Sequence, residues 1–214
     1  MPAADFETSV FVNCPFDPDY APVLQAVLFC IVYLGFAPRL ATERADSGET
    51  RIDKIRELIE RSRYSIHDLS RCQAMRKGEY YRLNMPFELG IDYACRLYYG
   101  QGREAKKILI LEERKYRYQA SLSDLSGCDI QHHSGDYEKA VRAVRNWLAN
   151  EADLTAPASG ASRILGKYVD FQEWNYERQL AAGFSEADIQ DYPTKELLGA
   201  MQVWRSAGTP AGFD

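Results

Sequence analysis

The chain has 214 residues, 46% hydrophobic and 27% charged, with a formal net charge of −5, which is enough apolar content for a medium-sized core and argues against disorder. Its charges are interspersed in sign and form no basic stripe, so a nucleic-acid partner is not expected. No apolar run approaches the ~20 residues of a membrane span, and Met1-Pro2-Ala3-Ala4-Asp5 lacks the basic and apolar regions of a signal peptide; no membrane partner and a cytoplasmic location are expected.

From Ser9 to Asn150 short apolar runs alternate with helical periodicities, the pattern of βαβ units, which predicts an α/β fold with a parallel sheet. Val10-Phe11-Val12 reads as the first strand, ended by Asn13, Pro15, Asp17 and Pro18. A helix over Tyr20 to Leu34 stops at Gly35, and Ala37 to Ala41 is a short second strand. After the polar loop Thr42 to Glu49, the second helix starts at Thr50, where Thr50-x-x-Asp53 resembles a capping box and Ile52, Ile55 and Ile59 share a face.

Tyr64 to Leu69 is the third strand, and a long basic loop with several tyrosines, Ser70 to Leu83, separates it from the third helix. That helix is expected to take Asn84 as N-cap and Pro86 in its first turn, with Phe87, Ile91, Ala94 and Tyr98 facing inward. Lys107 to Leu111 is a fourth strand, apolar on both faces as a central parallel strand should be, and Asp129 to His132 a weak fifth. A helix over Tyr137 to Asn150 completes the first unit, residues 1–150. Residues 151–162, rich in Ala, Ser, Pro and Gly, read as a linker. Residues 163–214 read as a helical extension with helices at Ile164 to Ala182 and Thr194 to Ala207, whose Trp174, Leu180, Phe184, Ile189, Met201 and Trp204 need cover from the main unit or a second subunit.

The five cysteines, Cys14, Cys30, Cys72, Cys95 and Cys128, form no CxxC pair or Cys/His cluster and read as reduced thiols; no metal is expected. Cys30 and Cys95 read as small buried hydrophobes. Cys14 lies in the expected crevice, with no base evident to activate it.

For a flavodoxin-like five-stranded sheet of order 2-1-3-4-5, ligands settle at the carboxyl ends of strands one and three. Asn13-Cys14-Pro15-Phe16-Asp17 and His67-Asp68-Leu69-Ser70 meet there, and Glu88 arrives from the start of the third helix. In a first turn its carboxylate would be held anionic by free N–H groups, whether as a catalytic group or only as a favourable helix-start residue. Gly90 would let the helix approach a neighbour closely. His67 reads as a hydrogen-bonded structural residue, and His132-His133 has no carboxylate partner in register.

The segments Phe-Val-Asn-Cys-Pro-Phe-Asp (11–17), Ser-Ile-His-Asp-Leu-Ser (65–70) and Asn-Met-Pro-Phe-Glu-Leu-Gly (84–90) resemble the bacterial TIR-like domains and are similar to the nucleoside 2-deoxyribosyltransferases, over about Ser9 to Leu148. The resemblance implies that Glu88 is the catalytic carboxylate, that Asp68 matches the aspartate after the third strand, and that Pro15-Phe16 matches a Pro-Phe pair after the first. It further implies cleavage of an N-glycosidic bond, with a nucleotide as substrate, no cofactor beyond NAD as that substrate, and a homo-oligomer under a regulatory signal, as in antiviral defence effectors. Asp68 would bond ribose hydroxyls or orient water, or else cap local backbone N–H groups. Asn13, Pro15, Phe16, Asp17, Ser70 and Asn84 would contact the ligand, with Phe16 stacking on it or joining the core. Arg82 or Arg71 would meet a pyrophosphate or remain solvated. The transferases place an acid upstream of the glutamate to protonate the leaving base, whereas here Tyr80-Tyr81-Arg82-Leu83 carries none. That departure favours NAD glycohydrolysis over nucleoside cleavage, with a non-catalytic nucleotide-sensing or interaction module as the third reading.

Overall fold

The computed structural model describes residues 6–74, 77–78, 80–152, 154 and 157–210. Five parallel strands, β1 (Ser9–Asn13), β2 (Ala37–Arg39), β3 (Tyr64–Asp68), β4 (Lys107–Glu112) and β5 (Gln131–His132), lie in the order β2-β1-β3-β4-β5. The register pairs Asn13 with His67 and Asp68 with Leu111, so the carboxyl ends of β1, β3 and β4 lie side by side. The order reverses between β1 and β3, which opens the crevice that such sheets use for ligands.

Strand alternation assigns each sheet residue to one of two faces. Val10, Val12, Tyr64, Ile66, Leu109 and Leu111 pack on α1 (Ala21–Tyr33) and α4 (Tyr137–Glu151). On the opposite face, Phe11 packs with Ile55, Leu58 and Ile59 of α2 (Arg51–Glu60), and Ile110 with Met85 and Leu89 of α3 (Asn84–Tyr98). Thr50 caps α2 through the Asp53 amide, as its sequence signature suggests, but Ile52 is exposed and Leu58 takes its place on the buried face.

The C-terminal segment forms α5 (Ala161–Ala181), the short α6 (Glu186–Gln190) and α7 (Thr194–Ser206). Helix α6 is absent from the sequence reading; Ser185 and Asp188 start it with a reciprocal capping box. Ile164, Phe171, Met201 and Trp204 are fully buried in the same core as α1, where Phe29 stacks on Phe171 at 5.4 Å and meets Trp204 at 5.5 Å. Trp174 is only partly buried but packs against this core, whereas Leu180 is exposed, contrary to the expectation that it needs cover. Arg145 of α4 bonds the carbonyls of Ala158 and Ser159 just before α5. With the sheet on one side and α5 and α7 on the other, α1 buries nearly every apolar side chain it has, as a helix apolar all round must. No helix among the described residues is long and apolar enough to cross a membrane.

Candidate functional site

Alternation along β3 sends neighbouring residues to opposite faces: His67 points to the α3 side together with Asn13, and Asp68 to the α1 side. Two polar networks result. On the α3 side, Asn13 Nδ2 donates to the Met85 carbonyl at 3.0 Å and to His67 Nδ1 at 3.0 Å. A carbonyl only accepts, so the Asn13 amide orientation is fixed, and His67 is left to donate from Nε2 to Asp92 Oδ2 at 2.9 Å. Asp92 Oδ1 lies 3.2 Å from Lys106 Nζ, which also donates to the Ile59 carbonyl at 2.8 Å. Burial would raise the Asp92 carboxyl, but His67 and Lys106 hold it below its usual range. His67 is thus a structural hydrogen-bonded residue, as its place in the sequence suggests.

On the α1 side, Asp68 accepts from the Tyr20 hydroxyl at 2.6 Å, from His133 Nε2 at 2.9 Å and from the Ser70 amide at 2.8 Å. The Gly135 amide donates to His133 Nδ1 at 3.1 Å, which assigns the imidazole proton to Nε2. Burial would lift the Asp68 carboxyl, yet His133, Ser70 and Tyr20 together hold it below its ordinary value. The expectation that His132-His133 lacks a carboxylate partner is therefore wrong: the loop after β5 brings His133 onto Asp68. The local cap among the readings of Asp68 is seen in its bond from the Ser70 amide. Ser70 is likewise buried and bonded to His133.

Asp68→Asn is expected to destabilise the fold by about 2 kcal/mol, because the new NH₂ must face one of three donors. That corresponds to a melting temperature lower by ~4–8 °C at neutral pH. Since folding depresses this carboxyl, its stabilisation is present above the unfolded pKa of ~3.9 and is lost as pH falls through the folded value. The parent protein should therefore lose stability steeply below about pH 4, and the variant less steeply, in thermal melts across pH.

Glu88 stands apart from both networks. Leu83 occupies the N-cap position of α3 without a side-chain cap, and Asn84 is the first helical residue and exposed. Glu88 is therefore in the second turn, not the first as the sequence suggested, and its own N–H is spent within the helix. It is 4% exposed, and its strongest polar neighbour is Arg51, 3.5 Å from Oε1. Burial raises the carboxyl above its usual range, and Arg51 and then His67 pull it back only in part. This reverses the expectation of a helix-stabilised anion. Gly90 is open to solvent, with no atom within 4 Å of where a Cβ would sit, so it serves no close approach.

The inward face of α3 is also not the expected one. Met85, Glu88, Leu89, Asp92 and Cys95 are buried, whereas Phe87 and Tyr98 are 62% and 84% exposed and Ala94 is exposed too.

At the end of β1, Cys14 is buried, and its thiol is raised well above its usual range by burial and by the charges of Asp68, Glu88 and Asp17. It is no thiolate nucleophile; it marks where these three carboxylates converge. Pro15 is buried beneath the turn, and Phe16 is 41% exposed, so it is not core. Asp17 caps the turn at the Tyr20 amide and pairs with Arg82 at 3.0 Å and Arg71 at 3.4 Å, while Arg71 also reaches Glu113. Neither arginine is a simply solvated loop cation. Met75, Arg76 and Glu79 of the 70–83 loop lie outside the described residues.

The crevice thus brings together Asn13, Cys14, Pro15, Phe16, Asp17, Asp68, Ser70 and Glu88, with Arg51, Arg71 and Arg82 as the cations attached to it. Arg51, Tyr20, His133, Asp92 and Lys106 were missed in the sequence; only Asp92, one helical turn beyond Glu88 on the same face, carried a readable signal. Among the described residues no cluster of His, Cys, Asp and Glu could hold a metal ion. Comparison with family models, curated proteins and solved structures returns no match to this chain.

Proposed function

We propose that this α/β protein cleaves the N-glycosidic bond of a nucleotide, with NAD as the substrate and nicotinamide as the leaving group. The observation that carries the reading is Glu88: a buried carboxylate at the strand-order reversal, raised by its surroundings and balanced only in part by Arg51 and His67. Asp68, held by three hydrogen bonds, and Asp92, held by His67 and the Lys106 ion pair, are both depressed; Glu88 is raised, and perturbed, under-compensated groups in clefts are where chemistry concentrates. The resemblance to TIR-like and deoxyribosyltransferase sequences points to the same residue.

In the proposed reaction the ribosyl C1′–N bond breaks with its electron pair passing to the pyridinium nitrogen, so nicotinamide leaves neutral and needs no proton. The oxocarbenium-like ribosyl group is stabilised by the Glu88 carboxylate. Water adds at C1′, and its proton passes through Glu88 to solvent, giving ADP-ribose. A cationic ring beside Glu88 favours its ionised form, which offsets the burial that raises it. Exposed Phe16 offers a stacking face, and a pyrophosphate would compete with Asp17 for Arg71 and Arg82.

Self-association is part of the reading. Leu83, Phe87, Ala94, Leu97 and Tyr98 share one exposed face of α3, flanked by Tyr80 and Tyr81. At 150–250 Å² per aromatic side chain, the exposed part of this patch is on the order of 800 Å², what each partner of a standard interface buries. The occupant we assign to it is α3 of a second copy, which would set assembly directly beside Glu88.

A leaving-group panel tests the reading. Nicotinamide should be released from NAD and from nicotinamide mononucleotide, while inosine and thymidine, whose bases need protonation, should remain intact. The reverse pattern would transfer the site to the deoxyribosyltransferase-like class.

A further inference from the structure

A second cavity, of about 280 Å³, lies far along the chain from the crevice residues, between Gln25 of α1 and the helices α5, α6 and α7. Its lining is unusual for a chain in which 27% of residues are charged: among the described residues it contains no charged side chain. Tyr168, Phe171, Tyr176 and Tyr192 supply aromatic surface. Gln25, Gln172, Asn175 and Gln179 supply four carboxamides, and Ile189, Leu197 and Met201 close the apolar side.

Two of the carboxamides are buried, Asn175 at 7% and Gln179 at 3% exposure, and their orientations follow from one another. Arg178 can only donate, so the atom it bonds at 3.1 Å is the Asn175 oxygen; Asn175 Nδ2 then donates to Gln179 Oε1 at 3.2 Å. The Gln179 amide nitrogen is left as the donor, and it is buried with no hydrogen-bond partner among the described residues. A buried amide donor without an acceptor is costly and rare, and here it belongs to a residue that lines a cavity large enough for a small ring.

We propose that this cavity is a binding site for a neutral, planar, carbonyl-bearing heterocycle of one or two rings, the chemical class of a nucleobase or a pyridine carboxamide. The ligand carbonyl accepts from Gln179 Nε2, the ring faces lie against the tyrosines and Phe171, and the remaining amides read its edge. Neutral ligands are favoured over anions because no charged side chain is in the lining and Arg178 behind it is engaged by Asn175 and Tyr192. The volume is at the lower end for small-molecule pockets, which limits the occupant to a base or a compact nucleoside and excludes a dinucleotide. The inference stands independently of the reaction assigned to Glu88.

The test is methyl NMR of the full-length protein, following Ile189, Leu197 and Met201, titrated with nicotinamide, uracil and hypoxanthine, and in parallel with the charged analogues nicotinate and orotate. At least one neutral ring should shift these methyls saturably, with Kd on the order of 0.1–1 mM for so few atoms, and the charged analogues should not. Gln179→Met should weaken binding at least ~10-fold, the effect of losing one hydrogen bond of about 1.4 kcal/mol. Because that change also frees Asn175, Leu197→Trp, which fills the cavity and keeps Gln179, serves as the second variant and should abolish binding with cooperative melting retained. Absence of saturable shifts with every neutral ring would overturn the proposal. So would equal binding of nicotinamide and nicotinate, or unchanged binding in both variants.

Discussion

Glu88→Gln is expected to lower nicotinamide release from NAD by about 10³-fold, the scale on which losing a single preorganised stabiliser of transition-state charge is felt. Glutamine preserves shape and hydrogen bonding but carries no charge to set against the ribosyl cation. The same change should stabilise the fold. Folding raises the Glu88 carboxyl, so the protonated form contributes stability that is present below the unfolded pKa of ~4.3 and lost as pH rises through the folded value. The neutral variant should thus melt higher than the parent at neutral pH, by ~2–4 °C if about 1 kcal/mol is recovered, with the difference closing at acid pH. Loss of activity with a gain of stability separates a catalytic carboxylate from a structural one, since removing Asp68 costs stability instead. Parent-like turnover, or a lower melting temperature at pH 7, would remove Glu88 from the mechanism. For the parent protein, kcat/KM for NAD should fall with acidification at a pH above the usual carboxylate range, because the ligand-free protein must hold Glu88 ionised and its surroundings raise that carboxyl.

Truncation after Asn150 is expected to abolish folding. Ile164, Phe171, Met201 and Trp204 are at most 1% exposed, and at ~1.5–3 kcal/mol for each buried side chain they contribute about 6–12 kcal/mol. The whole stability of a domain is ~5–15 kcal/mol. Their removal also bares the outer side of α1, including Phe29, which would promote aggregation. The truncated chain should be insoluble or lack a cooperative melt. A soluble truncated protein that melts cooperatively would show that α5 and α7 are dispensable cover.

The parallel sheet was legible because it follows from local signals: the alternation of β-type runs with helical periodicity, the turn residues after Val12, and the apolar run Lys107 to Leu111; its order 2-1-3-4-5 follows from none of them and rested on the flavodoxin-like arrangement. Helix α3 shows where such reading fails. Its apolar stripe, Phe87, Ile91, Ala94 and Tyr98, suggests an inward face, yet the chain buries the stripe that contains Glu88 and Asp92. Periodicity counts a carboxylate as polar, and the groups that make its burial tolerable come from elsewhere: Lys106 from the residue before β4, His67 from β3, Arg51 from α2. The misplacement of Glu88 in the first turn had a smaller cause, one residue in the position of the cap, but it inverted the expected direction of the carboxyl's shift. Asp68 and His133 are separated by 65 residues and joined only by the register of the sheet, so no spacing rule could pair them. The apolar run of α1 did carry an unread signal: Val27 to Val32 without a polar break requires cover on both sides, which is what α5 and α7 provide.

The central claim is Glu88-dependent N-glycosidic cleavage, and the most direct measurement is chromatography of NAD incubated with the purified full-length protein over a series of protein concentrations. Nicotinamide and ADP-ribose should form in equal amounts, at a rate that rises more than linearly with protein concentration as α3 faces pair. NAD recovered intact at every concentration, or products formed equally by the Glu88→Gln protein, would contradict it.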